Sequence, residues 1–200
     1  MVIPEAIYAG GSSPSVIDSY HPCSNWSLGR ECCLLHLAHL IDKENLMKDW
    51  KLPWLGGCRC GQVRIRISEP PLITGACHCT GCQRMTASAF SLSVGVPASG
   101  FEVTQGEPVI GGLHGEAQHF HCPHCKSWMF TRLPPEVGPF VNVRATMLDD
   151  HGWFVPFLET YTSEKLPWAA TPATHSFEEF PPLEDYEQLM AEFAAHGVRP

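Results

Sequence analysis

Between residues 56 and 161 the apolar positions alternate over short stretches and then stop at Gly or Pro. Over Gln62 to Ser68, Val63, Ile65 and Ile67 face one way and Arg64 and Arg66 the other. That period of two is the pattern of a half-buried strand. Pro70 and Pro71 end it, because proline withholds the N–H that a ladder needs. Leu72 to Ala76, Ala89 to Val96, Phe101 to Thr104, Gln118 to His121, Met129 to Arg132 and Phe140 to Ala145 predict further short strands. A helical turn is predicted over Gln83 to Ala87. Short strands with this punctuation predict a mostly β fold, a small twisted β-sandwich or tent, rather than alternating βαβ units.

The flanks read differently. Residues 1–53 form an N-terminal extension that opens with a Gly/Ser/Pro stretch from Gly10 to Ser15. A helix is predicted over about Arg30 to Lys48, where Leu34, Leu37, Leu40 and Ile41 recur at helical spacing. Met47, just before the first cysteine pair, is the expected natural start, which makes residues 1–46 an upstream appendage. Residues 54–161 are the expected β-domain, and residues 162–200 an arm containing Lys165-Leu166-Pro167-Trp168 followed by a peripheral C-terminal helix. Pro181-Pro182 precedes that helix, Leu183, Tyr186, Leu189, Met190 and Phe193 make its apolar face, and Gly197 ends it. It is expected to cap the core.

Composition narrows the function. A chain of 200 residues that is 44% hydrophobic suits one globular domain with appendages. The net charge of −8 argues against nucleic acid or an anionic membrane as partner, since both ask for a basic patch. There is no run of eighteen apolar residues, and the N-terminal stretch has neither a basic n-region nor an apolar h-region. A cytoplasmic, reducing location is therefore expected, where clustered cysteines bind metal rather than form disulfides.

Ten cysteines are present, and seven fall into Cys58-x-Cys60, Cys77-x-Cys79-x-x-Cys82 and Cys122-x-x-Cys125. Thiolates at these spacings chelate soft metal ions. A structural zinc takes four ligands, whereas a catalytic zinc keeps three and leaves one position open. Four and three make seven, so the simplest reading is two zinc ions per chain. Cys58, Cys60, Cys122 and Cys125 would close one structural site that staples the start of the β-domain to its later strands. Cys77, Cys79 and Cys82 would hold a second, open, catalytic one. Spacing leaves other partitions open: Cys77 or Cys82 could complete a different site, and a histidine could fill a gap. His78, His121 and His124 are nearest, but each sits beside a cysteine, where the chain tends to aim neighbours away. Gly56-Gly57 is expected to let the backbone turn sharply before Cys58. Cys23, Cys32 and Cys33 are expected to be buried or free thiols, and Trp54, Trp128, Trp153 and Trp168 core or pocket walls.

Gly56-Gly57-Cys58-Arg59-Cys60-Gly61-Gln62-Val63, then Cys77-His78-Cys79-Thr80-Gly81-Cys82-Gln83, then Cys122-Pro123-His124-Cys125 resembles the glutathione-dependent formaldehyde-activating enzyme family, whose relatives include centromere protein V. The resemblance spans about Leu55 to Tyr161. It implies a zinc-stapled β-tent, the same four-and-three division of ligands, and a carbon–sulfur lyase activity. The substrate it implies is a thiol–aldehyde adduct such as S-(hydroxymethyl)glutathione, in equilibrium with glutathione and formaldehyde. Many members carry glycine after the last cysteine pair, where this chain has Lys126. The resemblance supplies no glutathione-binding residues. Thiol activation is the expected chemistry, because three thiolates already donate to the ion and weaken it as a Lewis acid. His78 and Gln83 lie close enough in sequence to be considered for the proton transfer. The alternative is a non-catalytic, zinc-stabilised binding module, with redox or metal sensing a third reading.

Overall fold

The computed structural model of the chain describes residues 49–200, apart from 115, 135 and 136. The helix expected over Arg30 to Lys48, the start at Met47, and Cys23, Cys32 and Cys33 lie outside the described residues. The fold is mostly β, as the alternation predicts.

Two sheets carry it. The smaller joins β1 (Trp54–Gly57), β2 (Arg64–Ile67) and β5 (Phe101–Gln105) in the order β1-β2-β5, antiparallel throughout. The larger has eight strands: β3 (Ile73–Cys77), β4 (Ser91–Pro97), β6 (Val109–His114), β7 (Ala117–His121), β8 (Trp128–Arg132), β9 (Phe140–Arg144), β10 (Leu158–Thr160) and β11 (His175–Ser176). Their order is β11-β10-β3-β4-β9-β8-β7-β6, antiparallel except where β10 lies parallel to both β3 and β11. Helix α1 (Thr80–Thr86) leaves the end of β3, and α2 (Tyr186–His196) closes the chain.

The β2 alternation works as the sequence predicts: Val63, Ile65 and Ile67 are buried and Arg66 is exposed. They join Val94, Val96, Met129, Phe130, Val141 and Val143 of the larger sheet in one apolar cluster. Phe101 of β5 meets Phe130 of β8 with ring centroids 4.7 Å apart, one of the direct contacts between sheets. Gly56 and Gly57 belong to β1 rather than to a turn. Gly56 is required for another reason, because a Cβ there would sit 2.4 Å from the Met147 carbonyl oxygen. The sharp reversal falls at Gly61, whose φ is +76°.

The C-terminal helix does more than ride on the surface. Leu189 and Phe193 are buried in the core, where Phe193 meets Trp50 and Phe157 at centroid distances of 5.7 and 5.4 Å. Leu183, assigned to the same face by its spacing, lies in a 3₁₀ turn before the helix and is 84% exposed. No helix among the described residues is long and apolar enough to cross a membrane.

Phe193→Ala should therefore cost about 3–5 kcal/mol in urea denaturation, the usual loss for a large aromatic removed from a packed core. A cost near zero would show that α2 is not part of the cooperative unit.

Candidate metal centres

The first cluster forms where the two sheets meet. Cys58 and Cys60 lie in the connection from β1 to β2, and Cys122 and Cys125 in the hairpin connection from β7 to β8. All four sulfurs lie within 4.8 Å of one another. Cys58 Sγ is 3.5 Å from Cys60 Sγ, which is 3.7 Å from Cys122 Sγ. Zinc–sulfur bonds of about 2.3 Å put tetrahedral sulfurs about 3.8 Å apart, so the donor set fits a zinc ion.

Backbone groups hold these loops. Cys58 N donates to Val63 O at 3.0 Å, and Val63 N donates back to Cys58 Sγ at 3.3 Å. Lys126 N donates to Cys122 O at 3.1 Å, closing the second loop with Lys126 at φ +61°. That left-handed conformation favours glycine, which gives the glycine common at this place in the family a physical reason. The Lys126 ammonium is exposed and donates to the Pro123 carbonyl at 2.7 Å.

Four thiols this close cannot titrate independently. Burial acts to raise Cys58, but the Val63 N–H and the thiols of Cys60 and Cys122 bring it below its usual range. The Gln62 amide acts to lower Cys60, yet desolvation and the thiols around it push it up to about 11. Cys125 is brought down to about 5, chiefly by the Ser127 hydroxyl and amide working against burial. Some sulfurs ionise only while others keep protons for them to share; a dication in their place satisfies all four.

The second cluster is local. Cys77 ends β3, Cys79 caps α1 with its sulfur accepting from Cys82 N at 3.3 Å, and Cys82 follows in the first turn. Their three sulfurs also lie within 4.8 Å of one another, and among the described residues no other His, Cys, Asp or Glu joins them. Hydrogen bonds from Cys77 and Cys82 bring Cys79 down to about 2. Cys77 and Cys82 are raised in turn, the first mainly by Cys79 and the second mainly by Cys77. A trio of soft donors again fits a metal, and it would leave a tetrahedral ion one position short.

The histidines considered as ligands stand outside both clusters. His78 is fully buried, with Nε2 2.9 Å from Glu159 Oε2 and its Nδ1 without a partner. His121 turns Nδ1 to the His119 carbonyl at 3.1 Å and stacks on Trp128. His124 is exposed. Gln83 is committed as well, its amide donating to the carbonyls of His78 at 2.6 Å and Glu164 at 3.0 Å. Its side chain braces the cysteine loop and is not free to carry a proton.

Several residues around the second cluster escaped sequence reasoning. Glu159 on β10 is buried and accepts from His78, Lys165, Thr171 and Ser176. Burial acts to raise its carboxyl, but these four donors overcome that and hold it at about 2. Arg144 on β9 is buried too, and burial lowers its guanidinium to about 10. Tyr161 has a phenol raised first by burial and then by the charge of Cys77 and Cys79. A single charge set directly after an apolar residue in a short strand, as in Val143-Arg144 and Leu158-Glu159, was the available signal. A shallow groove of about 550 Å³ is lined by Gln83, Arg84, Ala87, Ser88, Leu166 and Trp168, among others, so it begins one residue after Cys82 in the chain without being lined by any of the three cysteines. Trp168 is 74% exposed there and is a wall of that groove rather than core.

The chain belongs to the glutathione-dependent formaldehyde-activating enzyme family, whose profile matches residues 54–164 and so contains both clusters. The metal-binding capacity of the clusters and a relation to glutathione and formaldehyde follow from that membership. No curated protein matches the chain. Among solved structures, a crystal structure of a Rhodobacter sphaeroides protein is similar at 20% identity and a TM-score of 0.40, covering 48% of this chain and 87% of that one.

Glu159 also sets a pH dependence. Its folded pKa lies below the ordinary carboxylate value of 4.5, so its stabilisation is present above that value and is lost as pH falls towards about 2. Glu159→Gln should cost roughly 2–3 kcal/mol at pH 7, with the gap from wild type closing through acid denaturation between about pH 5 and pH 2. A gap that stays constant across that range would assign the loss to packing instead.

Proposed function

We propose that this protein is a zinc-dependent carbon–sulfur lyase acting on a thiol–aldehyde adduct, with S-(hydroxymethyl)glutathione, in equilibrium with glutathione and formaldehyde, as the leading substrate. In this reading Cys58, Cys60, Cys122 and Cys125 hold a structural zinc, and Cys77, Cys79 and Cys82 hold a catalytic one. The observation that carries it is the three-thiol cluster without a fourth protein donor among the described residues. A binding module built on two structural ions would instead call for a fourth protein ligand at that place.

When bound there, zinc supplies a position at which a substrate thiol is held as the thiolate at neutral pH. The remaining work belongs to the chain. Cys79, as the N-cap of α1, and Cys77, as the end of β3, would hold the ion between the helix start and the strand end. Gln83 ties the His78 and Glu164 carbonyls together and so keeps the cysteine loop from relaxing. In the groove, the Arg84 guanidinium suits a carboxylate of a peptide thiol, and the Trp168 ring offers a face for its backbone. Cleavage then breaks the carbon–sulfur bond, leaves the electron pair on sulfur, and forms the carbonyl as the adduct hydroxyl loses its proton.

Magnetisation-exchange NMR on glutathione and formaldehyde should show faster interconversion with zinc-loaded protein than without it. Cys79→Ser should abolish that acceleration while the protein keeps one zinc and its fold; acceleration that survives would refute the catalytic assignment. Trp168→Ala should raise the adduct concentration for half-maximal exchange several-fold, on the order of the loss expected from one stacked ring, with the limiting rate near wild type. An unchanged half-maximal concentration would remove the groove from the substrate site.

A further inference from the structure

Arg144 poses a problem of charge. It lies on β9 with 7% of its surface exposed, and a guanidinium stays charged at neutral pH. Its Nη1 donates to Ser91 Oγ at 3.2 Å and its Nη2 to the Asn142 carbonyl at 3.3 Å. Its Cζ sits 4.1 Å from the centroid of the Trp128 ring, and its Nε has no partner. Every one of these neighbours is neutral. Among the described residues no carboxylate pairs with it. A buried charge is retained only where an opposite charge offsets it.

Strand register shows where the offset lies. Ser91 on β4 is the direct partner of Cys77 on β3, and Ser93, two residues on, is the direct partner of Arg144 on β9. Direct partners share a face of the sheet, as do residues two apart, so Cys77, Ser91 and Arg144 lie in adjacent columns of one face. The Ser91 hydroxyl accepts from Arg144, which ties the guanidinium to the strand paired with Cys77. Burial opposes the Arg144 charge, and the Cys82 and Cys77 thiols, once ionised, would favour it.

We infer that Arg144 is the buried counter-charge of the Cys77–Cys79–Cys82 cluster, a positioning residue that lets three thiolates and a divalent ion rest there as an electrically neutral unit. Three thiolates and one dication sum to a single negative charge, and one guanidinium cancels it. The four-cysteine cluster has no such need, because Cys60 is exposed and solvent screens its excess charge. This inference rests on the metal reading of the three-cysteine cluster.

Cobalt(II) titration of the full chain, followed by sulfur-to-cobalt charge-transfer absorption, separates the possibilities. The three-cysteine site is identified as the uptake that Cys79→Ser removes, and the four-cysteine site serves as internal control. Arg144→Lys keeps the charge, while Arg144→Gln keeps a donor for Ser91 but not the charge. Arg144→Gln should weaken cobalt at the three-cysteine site by on the order of tenfold to a hundredfold, with Arg144→Lys within a few-fold of wild type and the control site unmoved in both. Equal weakening by both variants, or none by either, would overturn the counter-charge role alone. A wild-type protein that takes up a single cobalt would overturn the metal reading and this inference with it. If Arg144→Gln does not fold, the same substitution in a Cys77→Ser, Cys79→Ser, Cys82→Ser background decides. Folding there supports the inference, because the anions that required the cation are gone; failure there too makes Arg144 a packing residue and overturns it.

Discussion

Four sulfurs, carried on connections from two different sheets, converge at one place in the fold. Cys58 and Cys60 arrive from the smaller sheet, Cys122 and Cys125 from the larger, and they meet within 4.8 Å. Ionised thiols at such distances repel, and neutral ones make weak bonds. A shared cation would turn the meeting into an attraction, and a zinc ion so held would be worth about 10 kcal/mol or more to a small domain. The apolar cluster beneath, from Ile65 and Ile67 to Val141 and Val143, needs the sheets held face to face. Phe101 against Phe130 spans the same gap from a different place.

The three-cysteine cluster is built on other terms. It grows from one short stretch, and its surroundings do the holding. Glu159 gathers His78, Lys165, Thr171 and Ser176, so a residue between two ligand cysteines is tied to β10 and to the arm that follows it. The parallel pairing of β10 with β3, Thr160 opposite Cys77, brings that carboxylate to the loop. On the other side β4 and β9 present Ser91 and Arg144. One cluster thus organises the fold around itself, while the fold organises itself around the other.

Much of this was legible in the chain. Cysteine spacing marked both clusters because chelation geometry is a local property of a few residues. The alternation through Val63, Ile65 and Ile67 marked β2, and Gly197 after an apolar stripe marked the end of α2. Strands β1, β10 and β11 were not anticipated, since two to four residues leave no room for a period to show. Strand β6 holds two glycines and exposes Val109 and Ile110, which hides its alternation. Arg144 and Glu159 do not stand out in the sequence because their partners are distant along it: Ser91 is 53 residues from Arg144, and His78 is 81 from Glu159. Gly56 was assigned to a turn because the Met147 carbonyl that crowds it is likewise far along the chain.

The separation between the two halves of the four-cysteine cluster has a consequence for synthesis. Cys77, Cys79 and Cys82 leave the ribosome within six residues of one another, and a loop so short closes at little entropic cost. Cys58 and Cys60 must wait for Cys122 and Cys125, by which point β2 to β7 have already been translated. The local trio is therefore complete as a donor set once Cys82 is made, whereas the four-cysteine set is complete only with Cys125.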